Sequence, residues 1–167
     1  MSIICNTTVL SNFATVGQLN LLRQLYGRVT IPTSVYEENQ AGIEEGYAFC
    51  RDIEAVIYPF NSDGWIQLTN VTGEAELRAL GELPRQIHQG EAACLVIARQ
   101  RNWLFLTDDR AARKIATAWG IKLSGTLGCL VLAVEKQHCS LTKANGSLVE
   151  MIQQGYRSPV NDLSLLL

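Results

Sequence analysis

Five short apolar runs, each separated from the next by helix-patterned chain, constrain this sequence more than any other feature. They are Ile3–Cys5, Val29–Ile31, Trp65–Leu68, Trp103–Leu106 and Ile121–Leu123. Runs this short and this apolar are the pattern of strands buried on both faces. Between them lie stretches with helical spacing. Val16, Leu19, Leu22 and Leu25 form one stripe, with Ser11 or Asn12 as its cap and Gly27 as its stop. Ser34 and Glu37 have the spacing of a capping box, opening a helix in which Val35, Tyr36 and Glu38 form the first turn. Further helices are expected over 44–55, 74–80, 89–101, 109–119, 126–136 and 140–154, with Pro59 to Gly64 as a turn and Gly120 closing the helix before it. Strands alternating with helices predict an α/β fold with a central parallel sheet covered on both faces.

The chain has 167 residues, long enough for one domain with a real core. Apolar residues at 47% and charged residues at 18% place it among globular chains. No linker splits it, so residues 1–155 are expected to form one domain. Residues 156–167 form a tail whose terminal leucines would pack on that domain or on a second subunit, or fray. The net charge of −2 excludes a general basic field, so any nucleic acid must be held by a local patch. Five unpatterned cysteines read as reduced, mostly buried thiols. No apolar run is long enough for a bilayer, and the expectation is a soluble cytoplasmic protein with no membrane partner.

In open parallel sheets, sites form beyond the carboxyl ends of the strands. Asn6, Thr7 and Thr8 follow the first run. Glu37 and Glu38 lie one helical turn past the second, and Thr107, Asp108 and Asp109 follow the fourth. Glu91 opens the helix at 89–101. Each acid also has an ordinary use as a cap or a first-turn partner of a helix dipole. Several carboxylates at one edge would repel by several kcal/mol at low effective dielectric, which a small cation relieves. Hard oxygen donors suit Mg²⁺ or Mn²⁺. Arg110 and Lys114 share a helix face with Arg113 beside it, suited either to phosphate or to solvent. Trp103 and Trp119 read as core, and His88 and His138 as surface or structural residues. No phosphate-binding glycine loop is present.

Four ordered stretches carry a resemblance: NTTVLSN (6–12), IPTSVYEE (31–38), GEAACLVIA (90–98) and LTDDRAARKIA (106–116), with GTLG (125–128) beyond them. Together they resemble the PIN domain family, and within it the small prokaryotic branch related to type II toxin ribonucleases. The resemblance implies a three-layer α/β/α sandwich and hydrolysis of single-stranded RNA with Mg²⁺ or Mn²⁺. Glu38, Glu91 and Asp109 are then the metal ligands, with Asp108 as an alternative. Asn6 joins Glu38, Glu91 and Asp109 in the catalytic set. Thr7, Thr107, Arg110, Arg113 and Lys114 would meet the substrate. A toxin role, an antitoxin protein partner and a homodimer are implied in the same way.

Asn6 departs from the family, which carries Asp there. Its carbonyl oxygen can still coordinate a cation, but without charge. The chain therefore reads as a nuclease weakened at one ligand, or as a silent fold that binds nucleic acid or protein. Asn6 as a native residue, Asn6 as an introduced substitution, and a site sustained by the remaining acids at high metal concentration all stay open on sequence.

Overall fold

The computed structural model describes residues 1–167. Its centre is a five-stranded, wholly parallel sheet of β1 (Ile3–Cys5), β2 (Val29–Pro32), β3 (Ile66–Thr69), β4 (Leu104–Leu106) and β5 (Leu123–Ser124), in the order β3-β2-β1-β4-β5. The α/β class and the parallel sheet are as expected from the pattern. Register is fixed by pairs such as Ile4 with Thr30, Cys5 with Leu106 and Leu106 with Ser124. The order reverses at β1. The chain walks outward through β2 to β3, then returns to place β4 on the other side of β1. The carboxyl ends of β1 and β4 therefore flank a switch point, where such sheets open a crevice.

Nine α-helices cover the sheet: α1 (Thr7–Thr15), α2 (Leu19–Tyr26), α3 (Thr33–Glu44), α4 (Ala48–Glu54), α5 (Gly73–Gly81), α6 (Gln89–Arg101), α7 (Arg110–Ala118), α8 (Thr126–Glu135) and α9 (Leu141–Gln153). Helices α1, α2, α8 and α9 pack on one another, as do α5, α6 and α7, while α3 touches both α1 and α6. Helix α6 is apolar nearly all round, with Gly90 and Ala92 to Ala98 buried. Such a helix belongs inside, and α6 lies between β1, β2 and β4 and the helices α3, α5 and α7. No helix is long and apolar enough to cross a membrane.

Several helix starts differ from the sequence reading, each for a local reason. Ser11 and Asn12 cap nothing, because α1 begins directly after β1, with Asn6 at its cap position. Gly17, at φ 68°, breaks the chain before α2, so the stripe of Leu19, Leu22 and Leu25 belongs to that second helix. The Ser34–Glu37 capping box does not form. Pro32 holds the cap position of α3 in extended backbone, so Ser34 and Glu37 are already helical. The single helix expected over 44–55 is instead the end of α3 and a separate α4, parted by Gly46 at φ 93°.

Beyond α9 the chain turns at Gly155 and lays Leu163 fully buried against the body. Asn145 fixes it, accepting the Leu163 N–H at 2.8 Å and donating to Asp162 at 3.1 Å. Leu165, Leu166 and Leu167 remain exposed.

Candidate functional site

Because β1 passes straight into α1 and β4 into a short turn, polar side chains gather where the two strand ends meet. Asn6 and Thr107 are almost completely buried there. Asn6 Nδ2 donates to Thr107 Oγ1 at 2.6 Å, and Asn6 Oδ1 accepts from Thr8 Oγ1 at 2.8 Å. Thr107 Oγ1 also accepts the Asp109 N–H at 3.1 Å, which sets the course of the turn. Asn6 is thus engaged at both ends of its amide. One lone pair of a neutral oxygen is what it has left to offer a cation.

Glu38 reaches this centre from α3. Its carboxylate accepts from the Thr7 hydroxyl and lies directly over Gly90. A Cβ at position 90 would stand 2.5 Å from Glu38 Oε1 and 3.1 Å from Val35 Cγ2. Glycine at position 90 leaves that space to the Glu38 carboxylate, and the next residue on α6 is Glu91. Burial pushes the Glu91 carboxyl above the usual carboxylate range; the charges of Glu38 and Asp109 push the same way, opposed by its own backbone N–H and by His88. Glu91 Oε2 is buried and has no hydrogen-bond partner. Three separate elements therefore aim acids at one region.

These acids do not close into a tight cluster: no group of three or more His, Cys, Asp and Glu side chains is close enough to hold an ion. Each of two carboxylates is drawn to a partner of its own, Glu38 to Thr7 and Asp109 to the α7 N-terminus, where Oδ2 accepts the Ala112 N–H at 2.8 Å. The donor set is nevertheless all hard oxygen, and Glu91 carries one buried oxygen without a partner. That combination fits a small hard cation bound by one or two carboxylates and completed by water.

Asp108 is differently engaged. Its Oδ1 accepts the Thr126 N–H at 2.8 Å, and its Oδ2 accepts the Thr126 hydroxyl at 2.5 Å and Asn12 Nδ2 at 3.0 Å. This carboxylate ties β4 to the first turn of α8 and to α1. Arg113 is spent in the same way, its Nη1 donating to the carbonyls of Thr107 at 2.7 Å and Ser124 at 3.2 Å. Arg110 and Lys114 are exposed. Glu37 is exposed beside a cavity of about 730 Å³ walled by Leu80, Leu83 and Ile87 on the β2 side of the acids.

A second cavity, of about 970 Å³, opens on the β4 side. Thr7, Thr8, Asp108, Asp109 and Arg110 line it, together with Tyr47 and Phe49 from the α3–α4 corner and Tyr156 and Arg157 beyond α9. This last group carries no signal in the sequence, nor do Asn12 and Thr126 as partners of the site, whereas Thr8 stands where the strand pattern put it. The GTLG stretch was the one local sign that the start of α8 mattered.

The buried cysteines are free thiols. Cys94 lies close enough to Glu91 and Glu38 that their charges, after burial itself, raise its pKa further. No curated protein matches the sequence closely enough to count as a relative. The ordered motifs and the parallel sheet nonetheless agree with a comparison that spans residues 2–167, and by that match the chain belongs to the PIN domain family, whose fold is of the nuclease type.

Proposed function

We propose that the chain is a Mg²⁺- or Mn²⁺-dependent endoribonuclease acting on single-stranded RNA, with a turnover reduced by Asn6. The observation that carries this reading is Glu91: a half-buried carboxylate with one buried, unpartnered oxygen, raised in pKa, near two further acids from other elements. Perturbed acids of this kind concentrate where chemistry is done.

Glu91 with either Glu38 or Asp109 would hold the ion, and the third acid would reach it through water. Bound there, it would supply charge neutralisation at the phosphate and a more acidic water. The chain's own residues account for the rest. Glu91 Oε2 would accept the proton of the attacking water as the water oxygen bonds to phosphorus and the ester P–O bond breaks, the leaving oxygen taking a proton from solvent. Thr7 keeps Glu38 turned toward Gly90. Thr107 holds Asn6 and the Asp109 backbone in register. Arg110 and Lys114 provide exposed positive charge for the backbone of the substrate. A second reading, a silent fold that binds RNA or a protein partner, is favoured by Asn6 alone, since its amide is already bonded on both sides.

Calorimetric titration with Mn²⁺, paired with cleavage of a labelled single-stranded RNA, separates the two. The protein should bind Mn²⁺ weakly and cut slowly, and Asn6→Asp should bind more tightly and cut faster. Equal binding by both forms with no cleavage by either would overturn the nuclease reading. The toxin role is supported by the motif resemblance. Growth arrest on induced expression of Asn6→Asp, relieved by Glu91→Gln, is its test, and a co-purifying small protein would be the antitoxin. The homodimer is supported by the exposed Leu165, Leu166 and Leu167 and is checked by sedimentation. A cytoplasmic location rests on the same resemblance.

A further inference from the structure

The acids of the site repel the phosphates of any nucleic acid, and the chain as a whole is negative. Something beyond a cation must therefore hold the strand. Arg113 is unavailable, because its guanidinium is committed to the carbonyls of Thr107 and Ser124. Three ion pairs exist in the molecule, and they use Arg78, Arg99 and Arg101. Arg110 and Arg157 enter none of them and hydrogen-bond to no side chain or carbonyl, yet both are exposed and both line the cavity of about 970 Å³. They come from different parts of the chain, one from the start of α7 and the other from the segment beyond α9.

A third part of the lining is aromatic. Tyr47, at the corner between α3 and α4, is 51% exposed and lines the same cavity. Its ring is not loose: it rests on Phe49 at 5.6 Å between centroids, tilted by 39°, and Phe49 in turn packs on the core. A supported, half-exposed ring facing a cavity with two uncommitted arginines is the arrangement that stacks a base and grips its flanking phosphates. Neither Tyr47 nor Arg157 belongs to any of the sequence stretches that carry the acids.

We infer that this cavity is a nucleotide subsite on the β4 side of the acids, in which Tyr47 stacks one unpaired base while Arg110 and Arg157 hold its phosphates. The inference rests on the reading of the site as one for single-stranded RNA, and it adds which side of the acids the strand occupies and how. Duplex RNA is excluded, since a paired base has no free face for Tyr47.

Binding without cleavage tests it. The probe is a fluorescein-labelled single-stranded oligoribonucleotide, read by anisotropy in the presence of Ca²⁺, beside an abasic strand of the same length and a duplex of the same sequence. Tyr47→Ala is expected to weaken binding about 5- to 150-fold for the intact strand and to leave the abasic strand unchanged. Tyr47→Phe should bind like the parent protein, which separates stacking from a folding defect. Arg157→Ala should weaken intact and abasic strands alike and reduce the salt dependence by about 0.7 in log–log slope. If the parent binds single strands but Tyr47→Ala and Arg157→Ala match it, the subsite is wrong and the ribonuclease reading stands. Equal affinity for the duplex also overturns the subsite. If the parent binds no RNA, both readings fall.

Discussion

The carboxylate of Glu38 occupies the space that a side chain on residue 90 would need, with 2.5 Å between Glu38 Oε1 and the position of a Cβ on Gly90. That relationship brings a residue of α3 over the first turn of α6 and sets Glu38 beside Glu91. Replacing Gly90 by Ala forces the flexible end of Glu38 aside rather than any backbone. Gly90 lies in the first turn of α6, so the gain of alanine over glycine there is at most about 0.5–1 kcal/mol; the 3.1 Å approach to Val35 Cγ2 offsets it, and the fold should lose little or nothing. The expected result is an unchanged or slightly higher melting temperature together with weaker Mn²⁺ binding by calorimetry. A variant that unfolds, or that binds Mn²⁺ like the parent, would show that the crossing does not position Glu38.

Asp108 and Asp109 are neighbours with different employment. Asp108 accepts three hydrogen bonds from Thr126 and Asn12, so it acts as a strut between β4, α8 and α1. Hydrogen bonds to a charged acceptor are worth about 1.5–3 kcal/mol each. Asp108→Asn turns an amide toward those donors and should cost stability on the order of 2 kcal/mol in urea unfolding, with Mn²⁺ affinity little changed. Asp109→Asn should do the opposite. A loss of Mn²⁺ binding in Asp108→Asn without loss of stability would return Asp108 to the ligand set.

Glu91 makes a prediction in pH. Its pKa is raised in the folded state, mainly by burial, so the native protein holds a proton that the unfolded chain has already released. The stability associated with that proton is complete below the ordinary carboxylate range and is lost as pH rises through the raised value. In chelator, thermal melts between about pH 4 and pH 8 should therefore show a decline across that window. Glu91→Gln should remove that part of the decline and melt higher than the parent at neutral pH. Mn²⁺ should raise the melting temperature of the parent and leave Glu91→Gln where it was.

Away from the site, Arg101 grips Glu76 through Nε at 2.7 Å and Nη2 at 2.9 Å, and reaches Thr69 and the Asn70 carbonyl at the end of β3. Glu76 is 8% exposed, and its hydrogen bonds to Arg101 hold its pKa below the usual range. Arg101→Ala leaves a mostly buried charge without its partner and should cost about 3 kcal/mol, the low end for such pairs because Arg101 is partly wet. The sign in pH is the reverse of that at Glu91. Stability from this pair is present above the ordinary carboxylate range and lost as pH falls through the lowered value, and Glu76→Gln should blunt that acid limb.

What the sequence disclosed and what it hid divide along a physical line. The strands and α6 were readable because burial on all sides leaves an apolar imprint over consecutive residues. Glu91 in the first turn of α6 and Asp109 at the cap of α7 stood out on another ground, as acids at helix starts, while Glu38 lies in the second turn of α3. Helix starts near the site were misread because Ser11, Asn12 and Ser34 have the chemistry of caps, while the fold bonds Asn6 to Thr107 and Asn12 to Asp108. Those pairs lie 101 and 96 residues apart, a separation over which no local pattern can point. Tyr47 and Arg157 were invisible for the same reason, since only the folded chain brings the α3–α4 corner to the segment beyond α9.

The position of β1 bears on how the molecule is made. Ile3–Cys5 is the middle strand, yet its neighbour Leu104–Leu106 is synthesised about a hundred residues after it. Until then the nascent sheet has a bare, apolar border where β4 will dock, the kind of border that recruits strands from other chains. A ribosome that stalls before residue 104 would release a sticky fragment with no crevice at all. Assembly of the crevice between β1 and β4 is thereby postponed until Leu106 has been made, so a chain cut short before that point is a hazard for aggregation.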